Sequence, residues 1–404
     1  MRAQSKTLKK KSEITDQMSK ATSTNCAACS IWMIIQLWAG KDSKNNNRWR
    51  GGGGCKGHLF LAACTMIFSA GCSDEQEQFV QSIDSVMGTT ISVTAPPKFN
   101  TPPKFNTPPK FNTPPKSTTP QKSDTADIVF SIFHDVDTNM SEWKPDSPLT
   151  KVNEAAGIHP VQVPLDLLST IEQSLQIASL TSGAFDPTWA AFWNVWKFDG
   201  SNELPSQEHI DSLLPFVNWE LVEVDYKENT VFLPNEGMVI GLGGIAKGAA
   251  LDLSRAALAT AGIDNYMIVA GGQVLVHGAK NGNPWRIGIR NPDATQEEYF
   301  AVLEVTNTCV STSGDYEKFF MHDGKRYHHI IDPRTGFPAK GTRSATVITH
   351  NATVADALST ALFCMEPDEA ITLVNSLDEV EAVIIDEKNR VHYSSNARDL
   401  ISTE

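Results

Sequence analysis

Three stretches of this sequence combine residue types and spacings that could do chemistry. The first is Gly241-Leu242-Gly243-Gly244-Ile245-Ala246-Lys247-Gly248. Glycines let a backbone approach a ligand closely, and N–H groups at a helix start favour an anion, so the string is a candidate phosphate site. It also fits a dinucleotide fingerprint, but the next strand-like run ends in Gly271-Gly272 where a ribose-binding acid should stand. It is not a Walker loop, because Gly248 follows Lys247 where a Ser or Thr would be needed for magnesium. The second stretch is Thr312-Ser313-Gly314-Asp315-Tyr316, with Tyr327-His328-His329-Ile330-Ile331-Asp332-Pro333-Arg334-Thr335-Gly336 after it. Asp-Pro and a following Gly are turn chemistry that would hold His329 in place, and two histidines beside Asp and Arg suit acid–base, phosphate or metal roles. The third is Ala355-Asp356-Ala357-Leu358-Ser359-Thr360-Ala361. On a helix Asp356 and Thr360 share a face, and such hard oxygens suit magnesium or, more plainly, local capping.

The elements that must position these groups are legible in the pattern. A capped amphipathic helix opens after Ser123 with Ile128, Ile132, Phe133 and Val136 on one face, and a second helix covers 165–180. Strand-like runs at 221–224, 238–240, 267–270, 285–289, 301–305, 345–349 and 382–385 mix with helices near 245–261, 354–365 and 367–376. The 238–240 strand is expected to lead directly into the glycine string. Strands and helices without strict βαβ repetition predict an α+β fold in one compact domain.

The chain has 404 residues, 41% hydrophobic and 20% charged, which excludes collagen, a coiled coil and a wholly disordered chain. No apolar run reaches the roughly 18 to 20 residues of a membrane-spanning helix. Residues 1–72 hold 11 Lys/Arg against 3 Asp/Glu, leaving 23 against 44 in the body. So acidic a body excludes nucleic acid as a partner. Of seven cysteines only Cys309 and Cys364 lie in the body, which is no disulfide scaffold, and Cys26-x-x-Cys29 alone is a weak metal signal.

Basic residues, an apolar run over 59–70 and small residues before Cys72 have the architecture of an export signal. Ser69-Ala70-Gly71-Cys72 resembles a bacterial lipoprotein signal, in which Cys72 would be lipidated. The expected division is a basic extension over 1–58, a signal segment over 59–72 and a catalytic domain over 73–404. That domain is interrupted at 96–122 by three KFNTPP copies, whose paired prolines demand extended backbone.

Together the strings resemble the FAD:protein FMN transferases, the ApbE family. They run in that family's order: MGTT from Met87, NMSEWKPDSPLTKVN at 139–153, TSGAFDPTW at 181–189, GLGGIAKGAALD at 241–252, GG at 271, WRIGIRNP at 285–292, STSGDY at 311–316, HHIIDPRTGFP at 328–338 and ADALSTALF at 355–363. The resemblance implies an ApbE-like, T-fold-related domain that uses Mg²⁺ and FAD, moves FMN onto a Thr or Ser hydroxyl of a target protein and releases AMP. Carried onto this chain, the flavin contacts would be Met87, Trp143, Ala184, Phe185, Asp186, Lys247 and Ile330. Magnesium would fall on Asp356, Thr360 and a backbone oxygen near Gly244. His329 would be nearest catalysis, and Ser313, Gly314 and Asp315 would line the diphosphate side. Gly241 departs from the Asp that members often carry there. The resemblance further implies targets among subunits of Na⁺-pumping NADH:quinone reductase or the Rnf complex, and a periplasmic, inner-membrane-anchored lipoprotein. An FAD diphosphatase and a non-catalytic flavin-binding lipoprotein remain alternatives.

Overall fold

The computed structural model describes residues 78–97, 125–198, 203–293 and 298–402. The export signal with Cys72 and the KFNTPP copies lie outside the described residues. In chain order the elements are β1 Val80–Val86, β2 Thr89–Ala95, α1 Thr125–Met140, α2 Pro148–Glu154, β3 Val161–Gln162, α3 Leu165–Leu180, α4 Gln207–Leu213, β4 Glu223–Asp225, β5 Thr230–Phe232, α5 Ala246–Thr260, β6 Tyr266–Ala270 and β7 Gln273–His277. There follow β8 Trp285–Arg290, β9 Tyr299–Val305, β10 Thr308–Gly314, β11 Phe319–His322, β12 Lys325–His328, β13 Ile331–Asp332, β14 Phe337–Pro338, β15 Thr342–Thr349, α6 Ala352–Phe363, α7 Pro367–Val374, β16 Val380–Asp386, β17 Val391–Tyr393 and β18 Ile401–Ser402.

The fold is α+β, as the pattern predicts. Its centre is an eight-stranded sheet ordered β1-β2-β6-β7-β10-β15-β16-β17, in which every neighbouring pair is antiparallel. Period-two alternation assigns the two faces. Leu275, Cys309, Val347 and Ile384 join α1, α3, α5 and α6 in the main core. Their neighbours Val276, Val310, Ile348 and Val383 point the other way and pack against the β18-β9-β8 sheet through Trp285, Ile287 and Leu303. The middle of the sheet is therefore covered on both faces, and β15 and β16 are buried at nearly every position. In α1 the fully buried stripe is Val129, Phe133, Val136 and Met140, with Ile128 and Ile132 at its half-buried edge. Among the described residues no helix is long and apolar enough to cross a membrane. Cys309 and Cys364 are free, buried thiols of the core.

One expected strand is absent. Met238 and Ile240 are fully buried and Val239 half-buried, but the three form no ladder. The side chain of Asn153 takes the place of a strand partner: Ile240 N–H donates to its Oδ1 at 2.8 Å and its Nδ2 donates to Ile240 O at 2.9 Å. Gly241 N–H then donates to Pro187 O at 2.8 Å. A buried backbone whose polar groups are satisfied by side chains and loops has no need of a ladder.

Candidate functional site

The β1–β2 turn, the β6–β7 turn and the last residues of β10 lie at one end of the central sheet, as their registers require. Met87 occupies the first turn with φ of 53° and packs against the main core. Gly271 and Gly272 form the second. A Cβ on Gly272 would stand 2.5 Å from Thr312 O, so only glycine lets β10 pass this closely. Here α5 and α6 bring their N-terminal halves against the sheet. Gly248 makes their approach possible, because a Cβ there would meet Ala352 O at 2.3 Å.

Asp356 is buried at this crossing. Its Oδ2 accepts the N–H of Gly248 at 2.9 Å and its Oδ1 accepts Gln273 Nε2 at 2.8 Å. Burial pushes its carboxyl above the usual range, opposed by the Lys247 charge and by the N–H groups of Gly248 and Lys247. The anion seated on the first turn of α5 is thus the protein's own carboxylate. This revises the expectation that a phosphate would take those N–H groups. The N–H groups of Gly243 and Gly244 have no partner among the described residues and remain the loop's donors.

One turn along α6, Thr360 Oγ1 lies 3.4 Å from Ser313 Oγ, and Ser313 Oγ lies 2.9 Å from Ser359 Oγ. Ser359 continues to Ser311 Oγ at 3.1 Å. Gly244 faces the same hydroxyl: a Cβ there would stand 3.3 Å from Thr360 Oγ1 and 3.2 Å from the Phe185 ring. Asp356, Thr360, Ser313, Gly244 and Phe185 are therefore one neighbourhood. Among the described residues no three His, Cys, Asp or Glu side chains converge as a metal cage. The oxygens that do gather are one carboxylate, hydroxyls and backbone, which suits a hard cation that keeps several waters. Gln273 Oε1, on the residue that fixes the Asp356 carboxylate, is buried without a partner, a further oxygen for such a shell.

The two histidines divide. His328 is buried, its Nε2–H donating to Ala339 O at 3.0 Å and its Nδ1 accepting Ile330 N–H at 3.3 Å, with the ring edge-on to Phe363. Both nitrogens are committed to the fold. His329 is half-buried; its backbone N–H and its Nδ1–H both donate to Lys318 O, at 3.0 and 3.2 Å. A carbonyl can only accept, so Nδ1 carries the proton and Nε2 keeps its lone pair. Burial lowers both imidazoles to about 4, with Lys247 and Lys318 also disfavouring charge on His329. His329 is a neutral, base-competent ring at physiological pH.

Lys247 ties the parts together. Its Nζ donates to Gly243 O at 2.9 Å, and its charge acts on Asp356, His329 and Glu142 alike. Three segments far apart in the chain therefore lie within reach of one ammonium's charge.

Other expected residues have different employment. Asp186 Oδ1 accepts Thr188 N–H at 2.8 Å and Thr188 Oγ1–H at 2.6 Å, and its Oδ2 accepts Trp219 N–H at 3.2 Å. It caps the 3₁₀ turn Pro187–Phe192 and so fixes buried Ala184 and Phe185. Asp315 pairs with Arg326 at 2.9 Å and lies 3.8 Å from Arg343 rather than joining the Ser313 hydroxyl chain. Gly314 is set by the Tyr316 ring, 2.5 Å from where its Cβ would be. Ile330 is buried between β12 and β13. Trp143 is 67% exposed and meets Trp193 edge-on at 4.3 Å. Glu142 and Gln273 escaped the sequence reading. The position of Glu142 inside the 139–153 string and of Gln273 directly after Gly271-Gly272 were the available signals.

The ApbE family model matches residues 87–384. The chain is 32% identical over 290 residues to the FAD:protein FMN transferase of Treponema pallidum, covering 68% of this chain and 80% of that protein. It is 30% identical over 278 residues to the FAD:protein FMN transferase of Vibrio cholerae, covering 67% and 83%. Among solved structures it resembles the apbe protein of Thermotoga maritima, with TM-score 0.68, 31% identity and coverage of 80% of this chain and 100% of the other. It also resembles the flavin transferase ApbE of Vibrio cholerae, with TM-score 0.67, 26% identity and coverage of 80% and 99%.

Proposed function

The chain belongs to the ApbE family, and on that premise we propose that it is an FAD:protein FMN transferase, moving FMN from FAD to a Thr or Ser hydroxyl of a target flavoprotein with release of AMP. The observation that carries the reading is the convergence of the glycine string, the His-Asp string and Asp356 on Lys247. In the reaction the acceptor hydroxyl oxygen bonds to the FMN phosphorus, the bond from that phosphorus to the AMP oxygen breaks, and the hydroxyl proton passes to His329 Nε2. Lys247 and the N–H groups of Gly243 and Gly244 orient the diphosphate. Asp356, Thr360 Oγ1 and the Gly244 carbonyl would hold Mg²⁺, which when bound supplies charge neutralisation at the diphosphate. Phe185, Trp143, Met87 and Ile330 offer apolar surface for the flavin, with Asp186 and Ala184 shaping its wall.

The apolar run before Cys72 supports export, with the 73–404 domain held at the outer face of the inner membrane by a lipid on Cys72. Redox subunits of the Na⁺-pumping quinone reductase or Rnf type are then the acceptors within reach. The test is to incubate the purified protein with FAD, Mg²⁺ and such an acceptor, then look for flavin fluorescence on the denatured acceptor and for AMP in solution. Both together support the transferase. AMP without labelled acceptor points to a diphosphatase, and retained FAD without AMP points to a binding protein.

A further inference from the structure

Glu142 stands in the connection between α1 and α2, ahead of the glycine string by about a hundred residues, yet its carboxylate forms one wall of that string. Its Oε1 is 3.4 Å from where a Cβ on Gly241 would stand and 3.8 Å from the same point on Gly243. Burial raises its carboxyl above the ordinary range, opposed by the neighbouring N–H groups of Glu142 and Leu242, by the Lys247 charge and by the Trp143 side chain. Position 241 cannot project a side chain of its own, since a Cβ would lie 2.8 Å from the Ala190 Cβ. The glycine string thus presents no side-chain acceptor from within, and Glu142 supplies one from outside. A carboxylate withdrawn from water is costly unless its oxygens are satisfied, and an ionised one is an acceptor only. Beside a diphosphate it has nothing to offer the phosphates, which repel it; it suits the hydroxyl and amine donors next to them.

We infer that Glu142 is a substrate-binding residue whose carboxylate accepts hydrogen bonds from donor groups of the bound dinucleotide at the glycine string, either sugar hydroxyls or the exocyclic amine. The inference rests on the FAD reading above and goes beyond it in naming the group that reads the nucleotide. Lys247 favours the ionised carboxylate and stands between the two functions of the site, anion positioning on one side and donor recognition on the other.

The test is to titrate the wild-type protein, Glu142→Gln and Glu142→Asp with FAD, FMN and ADP by calorimetry, with the thermal midpoint of each variant measured without ligand. Glu142→Gln keeps the size and one acceptor, so the midpoint should move little. Its FAD dissociation constant should rise about 10- to 100-fold, the range for a hydrogen bond to a charged group, with partial recovery in Glu142→Asp. A loss shared with ADP but not FMN places the donors on the adenosine half; a loss shared with FMN but not ADP places them on the ribityl chain. Either supports the inference. Unchanged FAD affinity in Glu142→Gln, with normal binding by the wild type, overturns it and leaves the FAD reading standing. So does a fall for all three ligands in step with a lowered midpoint, which marks a pin for the loop. A wild type that does not bind FAD overturns both.

Discussion

Two aspartates at the α5–α6 crossing mirror each other, and they differ in one respect. Asp252 on α5 accepts the N–H groups of Ala352 and Thr353 at the start of α6, at 3.1 and 2.8 Å. Asp356 on α6 accepts N–H groups at the start of α5. Each helix lends the other a carboxylate for its positive end. Asp252 is then completed by the Thr353 hydroxyl at 2.7 Å and by an ion pair with Arg255. Asp356, buried more deeply, receives Gln273 and, among the described residues, no cation in contact; Lys247 acts on it only across space. A carboxylate with all its partners is a clamp. One left short of positive charge, beside Thr360, Ser313 and Gly244, is the carboxylate on which the proposed Mg²⁺ site rests.

The largest effect should come from removing that charge. Asp356→Asn should lower Mg²⁺-dependent turnover by at least about a thousand-fold while the protein stays folded by circular dichroism; activity close to wild type would break the contrast with Asp252. His329→Ala should come next, lowering kcat by roughly a hundred-fold or more with a smaller change in FAD affinity. Equal losses in both parameters would assign His329 to binding. Asp252→Ala should show the reverse pattern, a loss of about 1–2 kcal/mol in unfolding free energy with kcat of the folded fraction unchanged. His328→Ala belongs with it, costing about 1–3 kcal/mol through Ala339 O and Ile330 N–H left unpaired, as denaturant titration would read.

The smallest effect concerns pH. Folded His328 and His329 titrate near 4, below the ordinary 6.5. Between those values the unfolded chain binds protons that the folded one refuses, so their contribution makes stability fall as pH drops from 6.5 towards 4 and level off below it. Urea midpoints along that range should show the slope, and His328→Ala should flatten it. For the same reason the rate should show no histidine limb between pH 6 and 7.

Much of this was legible in the residues. The helix at 165–180 and the central-sheet strands expected at 267–270, 345–349 and 382–385 follow from apolar patterning, because an element must carry apolar residues wherever it is buried. Residues 238–240 misled because they are as apolar as a strand, while the backbone hydrogen bonds of Ile240 go to Asn153, 87 residues away. The glycine string was readable as a place where backbone meets something closely. That Asp356 takes part of its helix start, and that Glu142 walls its side, depends on contacts between segments a hundred residues apart, which no local pattern encodes.

By itself, then, the sequence determined the α+β class, the family resemblance and the three chemistry-bearing strings, since spacing, glycine placement and polarity are local properties written residue by residue. Only the tertiary structure decided which histidine keeps a lone pair, which aspartate lacks a cation and which glutamate reaches the glycine string. Those depend on burial and on partners brought together by folding, and burial is what turns an ordinary side chain into one that must be paired or used.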